Sequence, residues 1–191
     1  MTADNELDMP ALFAISDFPG TVGDYVDALW RDYSATLAAD IRLWGLPVVA
    51  YDGKAGDGRD TTFWHLITDS TRQRTEATRQ LSLRRCAHLP RVRWTLERLA
   101  EGSIRVVWWR ERRGRICVAP VDWSMVVMLR RHNGVYELSS AYPVKPHRRL
   151  RVFSRAAARW AAQDFYTPAP PHTAAVRCPA RPRRGRTAAE A

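Results

Sequence analysis

The sequence predicts an α+β fold in which N-terminal helices precede a small antiparallel β-meander sheet, within a single domain. Apolar residues recur at helical spacing in the first half of the chain. The second half instead carries short apolar runs separated by turn sequences, of which Asn133-Gly134 is the strongest hairpin signal. A length of 191 residues with a hydrophobic share of 46% is sufficient for one sizeable core.

The domain is predicted to have a flanking segment at each end. Residues 1–19 are acidic, contain two prolines and are predicted to form a loose leader, and residues 20–166 the folded domain. Residues 167–191, rich in Pro, Ala and Arg, are predicted to be a disordered tail. No apolar run approaches about 18 residues and the N-terminus has no hydrophobic signal segment, so a cytoplasmic location is expected.

The helices are predicted from apolar spacing and from capping residues. Apolar positions between Thr21 and Ala39 repeat with the period of an amphipathic helix. Residues 71–80, 91–100 and 154–165 are also predicted to be helical. The apolar run Thr61–Thr68 fits a short helix and a buried strand equally well, because eight residues are too few for periodicity to decide.

The strands are predicted from alternation and from short apolar runs. Residues 41–43 and 47–51 form two short candidates, and residues 104–110, 115–119 and 122–130 begin the meander. The run 122–130 is apolar throughout its centre, which indicates burial on both faces.

The last strand, Tyr136–Val144, carries the most informative pattern. Strict alternation places Tyr136, Leu138, Ser140 and Tyr142 on one face, so that a hydroxyl and a phenol lie two residues apart. Pro143 ends the strand because proline cannot donate to a sheet ladder.

The charge balance favours a polyanionic partner. The formal net charge is +10, and 28 of the 30 basic residues are arginine, which can bind phosphate in a bidentate manner. A GC-rich genome would explain the preference for Arg over Lys, but not the excess of basic over acidic residues. The tail, residues 167–191, accounts for +4 of this charge.

Metal and disulfide chemistry have little support in the sequence. Cys86, Cys117 and Cys178 show no paired spacing, which suits a reducing cytoplasm and argues against a zinc site. No histidine pairs with a carboxylate at a metal-binding spacing such as HExxH. The glycine-rich loop 52–60 lacks the spacing of a phosphate-binding loop and is interpreted as a flexible turn.

A histidine, many arginines and a Ser/Tyr pair remain, and this set fits metal-free RNA cleavage. That reaction needs proton transfer to and from oxygen, together with cations against the charge that develops on phosphorus. Imidazole transfers protons near neutral pH, guanidinium supplies fixed charge, and hydroxyl groups bond phosphate oxygens.

The chain resembles a group of phage- and bacteria-borne proteins, often labelled phage P1-related, that are placed with the barnase, tRNase-colicin and RelE-like (BECR) nuclease superfamily. The resemblance covers roughly residues 22–165 and rests on segments in a matching order. These segments are Trp44–Val48, Phe63–Ile67, Arg84–Cys86 with Leu89-Pro90, Trp108-Trp109, Ser139–Val144 and His147–Leu150. It implies a nuclease-like fold whose antiparallel sheet carries the active site.

The resemblance also implies roles for individual residues. His65 matches the general acid/base histidine, and Ser140 and Tyr142 match a hydroxyl-x-aromatic pair on the last strand, in which many relatives have Thr at the first position. Arg85 is the favoured catalytic arginine, with Arg84 and Arg74 as alternatives. Further nucleic-acid contacts are expected from basic residues: Arg74, Arg84, Arg148 and Arg149.

The implied activity is a metal-independent endoribonuclease without a cofactor. A toxin-like action on tRNA or another cellular RNA would add a cognate antitoxin or immunity protein as a partner. Two alternatives stay open: a non-catalytic nucleic-acid-binding module of the same fold, and an interaction or structural domain. The purely structural alternative for Ser140 and Tyr142 is that they end an edge strand, and the alternative for Arg148 and Arg149 is that they form a solvated surface.

Overall fold

The structure, a computed structural model, describes residues 8–50, 53–69, 80–111, 114–144 and 148–161. The helices within these ranges are α1 (Val22–Ala38), α2 (Thr61–Ile67), α3 (Leu83–His88), α4 (Pro90–Ala100) and α5 (Arg148–Ala161). The strands are β1 (Arg42–Leu43), β2 (Leu46–Ala50), β3 (Thr68–Asp69), β4 (Gln80–Leu81), β5 (Val106–Arg110), β6 (Arg115–Pro120), β7 (Met125–His132) and β8 (Val135–Pro143). The predicted α+β fold class is confirmed.

The main sheet has six strands in the order β1-β2-β8-β7-β6-β5, and β3 pairs with β4 separately. Strands β5 to β8 form the predicted antiparallel meander. The parallel pairing of β2 with β8, Val48 opposite Tyr136, was not predicted and adds β2 to this meander. Parallel neighbours need a long crossover, and the chain between β2 and β8 supplies it.

Helix α1 forms as its sequence predicts. Thr21 caps it: the Thr21 hydroxyl accepts from the backbone N–H of Asp24 at 3.2 Å, and the Asp24 carboxylate accepts from the backbone N–H of Thr21 at 2.9 Å. This reciprocal capping box satisfies two N–H groups that would otherwise be unpaired. Tyr25 and Leu29, one turn apart, are fully buried against the core.

The sheet separates two apolar clusters. The larger one lies between the sheet and helices α1 to α4, and its members include Leu29, Phe63 and Leu138. The smaller one lies on the opposite face, where Trp109 of β5 packs against Phe153 of α5, ring centroids 5.7 Å apart. Both clusters draw on β7, whose residues 125–129 are all buried, so the predicted burial of this strand on both faces is confirmed.

A β-bulge interrupts the alternation of β8. Met128 pairs with Ser140 and the next residue, Leu129, pairs with Leu138, so Ser139 is left as an extra residue. The Ser139 hydroxyl donates to the Met128 carbonyl at 3.0 Å. The prediction that Tyr136, Leu138, Ser140 and Tyr142 share one face was therefore wrong. The bulge moves Ser140 and Tyr142 to the α5 side, while Tyr136 and Leu138 stay on the other.

Within the leader, residues 8–19 pack against the body of the protein, and the apolar anchor predicted at Leu12–Ile15 contributes Phe13 and Ile15 to the larger cluster. The backbone N–H of Phe13 donates to the Ala87 carbonyl at 3.0 Å, and the Tyr25 hydroxyl donates to the Phe13 carbonyl at 2.5 Å. Arg91 on α4 donates to the Pro10 carbonyl at 3.0 Å. The folded domain therefore begins earlier than residue 20.

Helix α2 decides between two predicted alternatives, and helices α3 and α5 differ from the sequence prediction. The apolar run from Thr61 is a helix, α2, and a short unpredicted helix, α3, precedes α4. Helix α5 begins at Arg148, six residues before the predicted start at Ser154. The predicted helix at 71–80, apart from Gln80, and the predicted tail lie outside the described residues. None of the described helices is long and apolar enough to cross a membrane.

Candidate functional site

Arg85 lies at the junction of α2, α3 and β8. Its Nη1 donates to the backbone carbonyl of His65 at 2.7 Å, and its Nε pairs with Asp69 Oδ1 at 2.8 Å. The guanidinium carbon lies 5.8 Å from the centre of the Tyr142 ring. The Arg85 side chain is only 18% exposed. These contacts hold the guanidinium in place and partly neutralise its charge. Arg85 of α3 therefore connects α2, β3 and β8.

Helices α2 and α3 can lie beside the end of β8 because β2 does not extend that far. Strand β2 pairs with β8 only as far as Leu138, so from Ser139 onward the described structure shows no strand beside β8 on that side. Helices α2 and α3 pack along this stretch instead. Arg84 of α3 donates to the Val144 carbonyl at 3.0 Å, which satisfies a backbone group just beyond the strand.

Tyr142 lies next to Arg85, and His65 meets Arg85 through its backbone carbonyl. Tyr142 packs against Phe153, ring centroids 6.2 Å apart, below the Arg85 guanidinium. The His65 backbone bonds Arg85, whereas the residue itself lines a different cavity. The structure thus places Arg85 and Tyr142 together, with Ser140 on the same face, while the described lining of the His65 cavity contains none of the three.

The other predicted contacts are only partly visible. Arg74 lies outside the described residues. Arg148 and Arg149 begin α5, although only their backbone is described. Arg84 is exposed and has the backbone bond to Val144 as its described contact.

His65 lines an open cavity of about 510 Å³ on the side of α2 that faces away from the core. Thr61, Trp64, His65 and Thr68 contribute to it at helical spacing, because residues three and four apart share one helix face. The other side of α2 is buried, including Phe63 and Leu66. A volume of this size falls within the range that small-molecule and nucleotide-sized ligands occupy.

The glycine-rich loop between β2 and α2 forms the opposite wall of this cavity. The predicted turn is present at residues 53–60, and hydrogen bonds close it on itself. The backbone N–H of Ala55 donates to the Arg59 carbonyl at 2.8 Å, and that of Thr61 donates to the Gly53 carbonyl at 3.0 Å. At Gly53, φ is +136°, and a Cβ would lie 3.0 Å from the Thr61 hydroxyl oxygen, so glycine is required here.

Asp57 is the residue that this loop places in the cavity wall, and sequence reasoning did not single it out. The indole N–H of Trp64 donates to Asp57 Oδ1 at 3.2 Å, which fixes the carboxylate beside α2. Arg59 supports it twice, with its backbone N–H 3.1 Å from Asp57 Oδ1 and its Nε 3.6 Å from Oδ2. Arg59 also pairs with Asp27 of α1. The only signal in the sequence was an acidic and a basic residue flanking Gly58.

The cavity thus combines an imidazole, a carboxylate, an indole and two threonines, with an arginine behind the carboxylate. A histidine and an aspartate in one cavity are the groups that general acid–base catalysis requires. Across the part of the chain that the structure describes, no cluster of three His, Cys, Asp or Glu residues could hold a metal ion.

The two described cysteines do not contribute to such chemistry. Burial raises the pKa of the Cys86 thiol to about 12 and that of the Cys117 thiol to about 12. Both are fully buried and free, which is typical of structural cysteines in a protein core.

Comparison of the chain with known protein families, curated proteins and solved structures finds no significant match. The resemblance to the BECR nucleases therefore stays a prediction from the sequence.

Proposed function

We propose that the protein is a metal-independent endoribonuclease whose catalytic groups are His65 and Asp57. The observation that carries the proposal is that both residues line the same open cavity of about 510 Å³, beside Trp64. This retains the predicted histidine and the predicted reaction. It replaces the predicted set of Arg85, Ser140 and Tyr142 with residues of the glycine-rich loop.

In the proposed reaction, Asp57 takes the proton of the ribose 2′-hydroxyl, and the 2′-oxygen forms a bond to phosphorus. The bond between phosphorus and the 5′-oxygen breaks, and protonated His65 donates its proton to that leaving oxygen. The products are a 2′,3′-cyclic phosphate end and a 5′-hydroxyl end. The substrate must be RNA, because the nucleophile is the 2′-hydroxyl.

The remaining groups of the cavity have supporting roles. Arg59 lies behind Asp57 and holds the carboxylate in place through its backbone N–H and its guanidinium group. The Trp64 indole presents an aromatic surface on which an unpaired base can stack. The net charge of +10 favours the approach of a polyanion such as RNA.

Arg85 supports this site without contacting substrate. Its bond to the His65 carbonyl fixes the turn of α2 from which the imidazole projects. Tyr142 supports the Arg85 side chain from below. The predicted catalytic set is thus explained as a support for His65, and the substrate is expected on the other side of α2.

The test is cleavage of total RNA by purified protein in the presence of EDTA, followed by analysis of the product ends. Wild-type protein is expected to leave 2′,3′-cyclic phosphate ends. His65→Gln and Asp57→Asn are each expected to lower the rate about 100-fold or more, because each removes one proton-transfer step. Matched controls are His88→Gln and Asp69→Asn, which change the same residue types outside the cavity.

Three outcomes would contradict the proposal. One is absence of cleavage by wild-type protein that nevertheless binds RNA in a salt-sensitive manner, which would indicate the non-catalytic module. Another is cleavage that EDTA abolishes. The last is equal loss of activity in the control variants, which would show that the effect is not specific to the cavity.

A further inference from the structure

A second cavity, of about 420 Å³, lies at the end of the sheet where β7 turns into β8. Its lining includes Arg110 from β5, Arg131 from β7, Tyr136 from β8 and the turn residues Asn133 and Gly134. Arg131 and Tyr136 are directly paired across the two strands, so their side chains share one face of the sheet. None of the described residues lining this cavity belongs to the lining of the His65 cavity.

Tyr136 is the unusual feature of this cavity. The residue is fully buried, and its ring packs against Trp44 with centroids 5.5 Å apart. Its hydroxyl oxygen has no hydrogen-bond partner within the described structure. A buried hydroxyl without a partner costs free energy, and phenylalanine would fill the same space without that cost. Among the described residues the phenol is therefore available to donate a hydrogen bond to a ligand.

The charges around this hydroxyl are positive. Burial raises the pKa of Tyr136, and the guanidinium groups of Arg131 and Arg110 partly offset that rise, which shows that both lie close to the phenol. Both arginines are exposed. No carboxylate occurs among the described lining residues, and the nearby Glu137 is bonded to His132, Oε1 to Nδ1, at 2.9 Å.

We infer that this cavity binds a phosphate group, with Arg110 and Arg131 supplying the charge and the Tyr136 hydroxyl donating a hydrogen bond. Phosphate oxygens accept several hydrogen bonds at once, and the planar guanidinium fork matches their geometry. A carboxylate ligand would make fewer such bonds. The phosphate belongs either to the free ion or to a nucleic-acid strand, and the chemistry of recognition is the same for both.

Isothermal titration calorimetry with inorganic phosphate, at fixed ionic strength, measures this site directly. Arg110→Gln and Arg131→Gln are each expected to weaken binding about tenfold or more, since each removes a charge-assisted contact. Arg155→Gln on α5 is the matched control, because it removes the same charge from an exposed position outside the cavity. Its affinity for phosphate is expected to equal that of wild-type protein.

Tyr136→Phe separates ligand binding from a structural role. Without phosphate the variant is expected to unfold at the wild-type temperature or above, because it loses only an unpaired hydroxyl. With phosphate it is expected to gain less in melting temperature than wild-type protein does. A variant that is less stable without phosphate, or that gains as much with it, would overturn the assignment of the hydroxyl.

Oligonucleotides identify the source of the phosphate. If a 5′-phosphorylated hexanucleotide binds more strongly than its 5′-hydroxyl form, the site recognises the phosphate at a strand end. If both forms displace inorganic phosphate equally well, the site recognises internal phosphates. Phosphate affinity that is the same in Arg110→Gln, Arg131→Gln and wild-type protein would overturn the inference. Phosphate affinity in Arg110→Gln and Arg131→Gln is measured without RNA cleavage, so failure of the cleavage proposal would leave this result unchanged.

Discussion

Replacing Arg85 distinguishes a supporting role from the catalytic role that the sequence suggested. Arg85→Met replaces the arginine with an unbranched apolar side chain and so removes the guanidinium. It leaves the His65 carbonyl and Asp69 without their described partner and removes the group above the Tyr142 ring. The structure therefore predicts a loss of stability, with an indirect effect on activity.

The size of the loss follows from the individual contacts. A charge-assisted bond to a carbonyl contributes about 1.5–3 kcal/mol. The contact with the Tyr142 ring contributes about 0.5–1 kcal/mol, and the pair with Asp69 less than about 1 kcal/mol, because that carboxylate is 66% exposed. Since neighbouring contacts are not additive, we expect the free energy of unfolding to fall by about 2–4 kcal/mol.

Urea denaturation at pH 7.5 measures this change, and a loss of this size lowers the midpoint by about 1–2 M. Asp69→Asn is expected to cost less than about 1 kcal/mol, which isolates the ion pair from the bond to His65. Arg85→Lys is expected to recover only part of the loss. The ammonium group carries all its donors on one nitrogen, whereas Arg85 uses two different nitrogens to reach the His65 carbonyl and Asp69.

The RNA cleavage rate of Arg85→Met at 10 °C, where the variant remains folded, completes the experiment. The supporting role predicts a rate within about tenfold of wild-type protein, because Arg85 positions α2 without contacting substrate. A rate at least 1000-fold lower, with the unfolding free energy unchanged, would refute this reasoning and restore Arg85 as a catalytic residue.

Two further predictions concern buried groups. In a Cys178→Ser background, Cys86 and Cys117 are expected to resist a thiol reagent at pH 8 until urea unfolds the protein, because burial raises the pKa of each thiol to about 12; fast labelling of the folded protein would contradict this. Burial lowers the pKa of His88 below its usual value of 6.5, so the unfolded chain binds the proton more readily, and stability is expected to fall as pH drops below about 6.5. His88→Gln is expected to flatten this slope in urea titrations between pH 7 and 5, and an unchanged slope would refute the assignment.

Local patterns in the sequence were sufficient to predict most elements. Thr21 and Asp24 specify the start of α1 through contacts within one turn, so no distant residue is needed. Asn133 and Gly134 specify the hairpin turn because both adopt positive φ, +44° and +77°. The apolar centre of β7 indicated burial on both faces, because successive side chains of a strand point to opposite faces and here all of them are apolar.

The candidate site was only partly predictable for a physical reason. His65 was singled out from the sequence, but Asp57 lines the same cavity only because the loop closes on itself and Trp64 bonds the carboxylate. Ser140 and Tyr142 were placed on the wrong face because the bulge at Ser139 depends on hydrogen bonding to β7, which alternation within β8 does not encode. Arg85 was assigned from the family resemblance, which does not show that its guanidinium bonds the His65 carbonyl and Asp69.

The sequence by itself determined the α+β class, the first helix, the meander and its hairpin, because each depends on residues close together in the chain. Only the tertiary structure decided that β2 pairs in parallel with β8, that the run from Thr61 is a helix, and that Tyr136 is buried with an unpaired hydroxyl between two arginines. These features depend on which segments fill the edge and the faces of the sheet. Long-range packing determines which segments do so, and short sequence patterns carry no information about it.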